Sequence, residues 1–220
     1  MSTLTSAELM DRQYRFQRHI YDFTRTHYLF WRRRLIAELN PPANGTVVEV
    51  ACGTGWNLLR IAKRYPAARL FGFDISRAML KTAASATARN AVSDRIQLAQ
   101  GDATTFNLDE MFGIAKADRI FISYALSMIP DWEEAVERAV EQLAPGGSLH
   151  IVDFGDQAGL PAPFKAVLLR WLALFHVTPR EDLSRIVLAM AEAAGIDCRI
   201  GAPYRGYAVH AVATRRRRAP

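Results

Sequence analysis

The sequence predicts a single α/β domain: a doubly wound, mostly parallel, seven-stranded sheet with an antiparallel edge strand, preceded by an N-terminal helical lid. Three observations predict it. Residues 47–50 form a short Val-rich run with one acid that drives into the turn Cys52-Gly53-Thr54-Gly55, and an amphipathic stretch (Asn57, Leu58, Leu59, Ile61, Ala62) leaves that turn. Further short apolar runs, ending at Asp74 and at Gly101-Asp102, alternate with helical stretches. Two late runs, residues 196–202 and 207–214, read as a hairpin-like pair closing the sheet.

Bulk properties bound the function. A length of 220 residues suits one domain, with residues 1–40 as the lid and 215–218 as a basic tail. Half the residues are hydrophobic and 23% charged, which excludes a disordered or fibrous chain. Residues 1–5 are polar, so no signal peptide is expected, and the apolar stretch 166–175 is short and holds Arg170, so no membrane span is expected. Cys52 and Cys198 make neither a metal spacing nor a disulfide framework. The expected location is cytoplasmic. The net charge of +6 concentrates in Arg32, Arg33 and Arg34 and in residues 215–218. Such runs are solvated, or hold a protein peripherally on the anionic inner face of a membrane. No aromatic-interleaved reading motif accompanies them, so no nucleic-acid partner is expected.

Residues 7–39 contain no Gly or Pro and should be helical, with Asn40-Pro41-Pro42 as the stop. A heptad echo runs through them: Tyr14-x-Phe16-x-Arg18, Tyr21-x-Phe23-x-Arg25, Tyr28-x-Phe30-x-Arg32. At about 100° per residue each Arg lies roughly 40° from its Tyr and each Phe about 200° away. The segment is an amphipathic cover, or a lid whose Phe side packs on the body while Tyr and Arg face a ligand. Thr24 and Thr26 are the expected weak point. Strands are expected at 69–73, 95–99, 118–124 and 149–154. Ser76 caps a helix with Met79 and Leu80 inward, 131–143 is a helix, Ala144-Pro145-Gly146-Gly147 a turn, and 164–175 and 180–194 are helices.

The dinucleotide-binding loop needs a third glycine where Leu58 stands. Glu49-Val50-Ala51-Cys52-Gly53-Thr54-Gly55 instead resembles the first motif of the class I S-adenosylmethionine (SAM) methyltransferases, whose fold is Rossmann-like. Ala51 replaces a glycine common there and calls for a negative φ. The resemblance implies SAM as the cofactor and no metal. It implies that Glu49, Ala51, Gly53, Gly55, Asn57, Asp74, Ile75, Met79, Asp102, Ala103 and Ser123 hold it, with Asp74 on the ribose and Asp102 and Ala103 on the adenine. Residues 118–124 lack the N-P-P-Y signature of enzymes that methylate planar amides or base amines.

Methyl transfer from a sulfonium is an in-line displacement that needs positioning and exclusion of water. An amine acceptor must lose a proton to a Tyr, His, carboxylate or water, and aromatic faces suit a quaternary ammonium product. Tyr14, Tyr21, Tyr28 and Tyr124 are cage candidates, or amphipathic packing residues. A closer resemblance is to the bacterial betaine-lipid N-methyltransferases. It is carried by residues 20–29 and 34–36, by Ser123-Tyr124-Ala125-Leu126-Ser127-Met128-Ile129-Pro130 and by Val152-Asp153-Phe154-Gly155-Asp156-Gln157. Phe175-His176-Val177-Thr178-Pro179-Arg180 and Tyr204-Arg205-Gly206-Tyr207 continue it, with a departure at Arg33, where that pattern has an acid. It implies successive methylation of the amine of a diacylglyceryl-homoserine lipid to the trimethylated betaine lipid, in functional coupling with the enzyme that makes that lipid. Tyr21 and Tyr124 are the catalytic candidates. Tyr14, Arg25, Tyr28, Asp153, His176, Tyr204, Arg205, Tyr207 and His210 are the substrate-binding ones, with Arg25 or Arg205 pairing the carboxylate. The alternatives are a phosphatidylethanolamine N-methyltransferase, a quinone-ring C-methyltransferase and, without catalysis, a SAM-binding regulator.

Overall fold

The computed structural model describes residues 29–175 and 177–217. Within them the strands are β1 (Thr46–Val50), β2 (Arg69–Asp74), β3 (Ile96–Gln100), β4 (Ala117–Ser123), β5 (Leu143–Phe154), β6 (Asp197–Gly201) and β7 (Ala208–Thr214). The helices are α1 (Arg32–Glu38), α2 (Trp56–Arg64), α3 (Arg77–Arg89), α4 (Leu108–Phe112), α5 (Trp132–Glu141), α6 (Ala162–Ala173) and α7 (Leu183–Ala193). The seven strands form one sheet in the order β3-β2-β1-β4-β5-β7-β6. β1 to β5 pair in parallel, and β7 runs antiparallel between β5 and β6, so the last strand is internal and β6 is the edge.

Period-2 alternation splits the core into two layers. Val48, Val50, Ile120, Ile122, Leu149 and Ile151 face the side covered by α5 and α7, with Leu183 and Val187 packed among them. Val47, Leu70, Phe121, Val152 and Phe154 face α1, α2 and α6, whose Leu35, Leu58 and Leu172 fill that side. Gly72 is the close-approach point: a Cβ there would stand 2.5 Å from Leu58, so α2 reaches β2 only over a bare backbone.

Three features depart from the sequence expectations. The helix expected over 7–39 is reduced to α1 within the described part, because Trp31 sits at φ 70 and residues 30–31 form a turn. Tyr124 Oη donates to the Phe30 carbonyl at 2.6 Å, and Phe30 stacks on Tyr204 and Tyr207, which pins the turn to the body. The turn expected at residues 144–147 lies inside β5 as a bulge, where the β4 register passes from Ala117↔Leu143 to Arg119↔Ser148. The start of the basic tail is held. Arg215 exchanges backbone bonds with Gly146 and Gly147 and donates Nη1 to the Leu143 carbonyl at 2.8 Å. Arg216 meets Asp197 at 2.7 Å, which lowers that carboxyl's pKa. Arg218 lies outside the described residues.

Candidate functional site

The carboxyl ends of β1 to β4 open onto one cavity of about 320 Å³, where an open α/β sheet reverses strand order. The loop after β1 is its floor. Ala51, Gly53 and Gly55 have φ of 53°, 54° and 76°, so the chain makes three left-handed steps before α2 begins. Ala51 thus corrects the expectation of a negative φ: its left-handed step leads to Cys52, whose N–H reaches the Phe73 carbonyl at 2.8 Å. Asp74 at the tip of β2 ties the neighbouring loops, accepting from Gly53 N–H at 2.8 Å and Ser76 N–H at 2.9 Å. Ser76 caps α3 by accepting from Met79 N–H. Asp102 after β3 accepts from the N–H and hydroxyl of Thr104 at 2.9 and 2.8 Å.

A hydrogen-bond relay forms one wall. Arg32 Nε donates to Asn57 Oδ1 at 3.1 Å, and Asn57 Nδ2 donates to Glu49 at 2.5 Å. The guanidiniums of Arg32 and Arg60 stack on Trp56 at 4.0 and 3.2 Å from its centroid. Glu49, Asp74, Asp102 and Asp131 line the cavity against the single guanidinium of Arg32. This acid-rich lining suits a cationic ligand. Ser123 Oγ is buried without a hydrogen-bond partner among the described residues, at a position that lines the cavity. Leu29, Ile75, Met79 and Met128 add apolar wall. Carboxylates for an ammonium and hydroxyls, an unmatched hydroxyl and apolar faces for a flat base fit SAM. Among the described residues no three His, Cys, Asp or Glu side chains converge on a metal site.

Of the cofactor residues expected from sequence, all but Gly55 line this cavity, and Gly55 sits directly behind it as the cap of α2. Arg32, Trp56 and Asp131 were missed. Arg32 belonged to the heptad echo and Trp56 follows the glycine turn, which were the available signals. Tyr124 lines the cavity but is 2% exposed, and burial first, then Tyr207 and Asp153, push its hydroxyl pKa well up. It is therefore a neutral donor engaged with Phe30, not a phenolate base. Burial, then Asp74 and Glu49, likewise keep the Cys52 thiol protonated.

The expected substrate set is not gathered at the cavity. Asp153 is fully buried, its carboxylate accepting from Ser127 and Phe154 N–H, and burial raises its pKa to about 6. Tyr207 is packed against Phe154 and Phe30, and Tyr204, which is exposed, against Phe30 and Trp31. Arg205 is exposed in the β6–β7 connection and off the cavity lining. His210 faces Glu38 at 3.4 Å beside Trp31, on the α1 side of the sheet. Packing of the β5–β7 end against the turn at 30–31 takes these groups elsewhere. Tyr14, Tyr21, Arg25, Tyr28 and His176 lie outside the described residues.

This sheet order, with its one inserted antiparallel strand, is the fold of the class I SAM-dependent methyltransferases, and the carboxylate-lined crevice lies at its strand ends. Residues 47–147 match the family model described as a methyltransferase domain. The demethylmenaquinone methyltransferase of Lactiplantibacillus plantarum is 31% identical over 121 residues, 54% of this chain and 49% of that one. The trans-aconitate 2-methyltransferase of Variovorax paradoxus is 33% identical over 121 residues, 54% of this chain and 42% of that one. The chain thus spans about half the length of the curated relatives it matches. An O-methyltransferase family protein from Burkholderia thailandensis shares the fold at a TM-score of 0.73 and 16% identity, over 98% of this chain and 65% of that one.

Proposed function

We propose that the protein transfers the methyl group of SAM to a lipidic acceptor. The carboxylate-lined cavity at the strand ends carries the methyl-transfer reading. When bound, SAM supplies an electrophilic methyl on a sulfonium. The chain's tasks are to bind, to orient and to exclude water. The Arg32–Asn57–Glu49 relay holds the α1 side of the cavity to the tip of β1. Neutral Tyr124 fixes the turn that brings Leu29 and Arg32 to the lining. Met79, Met128 and Ile129 present an apolar edge to an acceptor.

The names of the curated relatives favour a quinone-ring carbon as acceptor over lipid N-methylation. That is the first acceptor to test. The family model ends at residue 147, so it does not cover residues 152–157 and 204–207, which carry part of the betaine-enzyme resemblance. The second reading is N-methylation of diacylglyceryl-homoserine to its betaine lipid. One observation favours it: three separate segments that carry the betaine-enzyme resemblance assemble into one unit. Asp153 holds Ser127, Gly155 N–H donates to the Tyr207 carbonyl at 3.0 Å, and Gln157 N–H to the Gly206 carbonyl at 2.9 Å.

The experiment is transfer from labelled SAM to a demethylated quinone, diacylglyceryl-homoserine and phosphatidylethanolamine, with mass spectrometry of the products. Label on a quinone ring carbon supports the first reading. A trimethylated homoserine lipid replaces it with the second. SAM binding with no product from the panel removes the lipidic acceptor and leaves the regulator reading.

A further inference from the structure

Helix α6 presents an apolar stripe to water. Phe164, Val167 and Leu174 are 53, 70 and 68% exposed, while Leu168 and Leu172 on the adjacent seam are buried. At about 100° per residue, Phe164, Val167, Trp171 and Leu174 share one arc roughly 80° wide. Three large side chains left in water along one stripe mark a contact surface. The charges on the helix itself are both positive, Lys165 and Arg170. Exposed Arg170 borders the stripe, and α6 carries no Asp or Glu. The helix also leads to the site. Trp171 packs on Phe175 with centroids 5.0 Å apart, and Phe175 packs with Met128 on Met79, two side chains that line the cavity.

We infer that α6 is the surface on which the protein docks to an anionic lipid bilayer. Phe164, Val167 and Leu174 enter the interface, Arg170 meets head-group phosphates, and an acceptor held in that bilayer reaches the cavity past Phe175. Among the described residues no helix is long and apolar enough to cross a membrane, so the proposed contact is that of a short helix laying its exposed stripe in the interface plane. The docking surface stands on α6 alone. The acceptor route rests on the lipidic acceptor proposed above.

The test is co-sedimentation of the full chain with phosphatidylcholine vesicles, with and without phosphatidylglycerol. The wild-type protein is expected to bind the anionic vesicles in a salt-sensitive way. Val167→Asp with Leu174→Asp should lower the partition coefficient by about tenfold or more, with melting temperature and SAM affinity unchanged. Arg170→Gln, which leaves the apolar stripe intact, should weaken binding to anionic vesicles only. Wild-type protein that stays in the supernatant overturns the inference, as does a double variant that sediments like wild type. A wild-type dimer that the double variant converts to monomer also overturns it, making α6 a self-association face. Vesicle binding that the variants lose, with no lipid of the panel methylated, supports the docking surface and removes the acceptor route.

Discussion

Ala51 holds a φ of 53°, where an L side chain costs roughly 1–2 kcal/mol. Glycine relieves that cost but is freer when unfolded, which returns about 0.4–1 kcal/mol of it. Ala51→Gly should therefore raise the melting temperature by up to about 6 °C, and a fall on calorimetry would show that the methyl is packed to advantage. Asp74 serves two loops through its carboxylate oxygens. Asp74→Asn keeps an acceptor and the shape but loses the charge. Its amide nitrogen, a donor, then faces one of the two backbone N–H groups, so the variant should unfold below the wild-type temperature and bind SAM at least about tenfold more weakly by titration calorimetry. Equal affinity in that variant would move the cofactor away from β2. Glu49, Asp74 and Asp102 were legible because each ends a strand, and strand ends and the turns after them are local in sequence. Arg32 on Trp56 was not, since that stack joins a turn pinned by Tyr124 and Tyr204 to a helix a whole strand further on.

At the scale of elements, the expected and observed strands agree to within a residue or two over β1 to β4, because buried parallel strands are continuous apolar runs between turns. The motifs around Asp153 and Tyr207 were read as substrate contacts, yet they are two sides of one backbone zipper between the end of β5 and the start of β7. Gly155 sits in it so tightly that an added Cβ would stand 2.4 Å from the Gly206 carbonyl, so Gly155→Ala should destabilise by about 2 kcal/mol or more. Asp153 anchors the turn Leu126–Met128, which Arg180 also holds through the Leu126 and Ile129 carbonyls. Its pKa of about 6 lies above the unfolded value of 3.8. The folded state therefore binds the extra proton, and this contribution is complete below pH 3.8 and lost as pH rises through 6. His150 works the other way: burial first, with Arg119 second, lowers its pKa to about 3, so its contribution is present above 6.5 and lost on acidification. Because the two oppose each other, the informative quantity is the difference in melting temperature between wild type and Asp153→Asn. It should shift against the wild type as pH rises from 4 to 7, and a difference that does not change with pH would mean that Asp153 does not titrate in this window.

For the whole molecule, the order β3-β2-β1-β4-β5-β7-β6 places the crevice between β1 and β4, and every carboxylate of the cavity comes from an element between residues 46 and 131. One wall does not. Leu29 and Arg32 reach the lining from before β1, and they do so because Phe30 and Trp31 are stacked on Tyr204, Tyr207 and His210 at the other end of the chain. The cavity is thus closed by a contact between the two ends of the described fold. That divides the first 34 residues into two parts with different consequences. Removing residues 1–28 leaves the turn, its aromatic anchors and the Arg32–Asn57–Glu49 relay intact, so SAM affinity should stay within about twofold of the full chain by calorimetry. Removing residues 1–34 strips the anchors and the relay's guanidinium and exposes the Trp56 face. Affinity should then fall by at least about tenfold, since a charge-assisted hydrogen bond contributes roughly 1.5–3 kcal/mol. Equal affinity in the two truncations would show that the turn is packing alone and that the cavity is complete without it. Loss of affinity already at residue 28 would place part of the cofactor site in the first 28 residues.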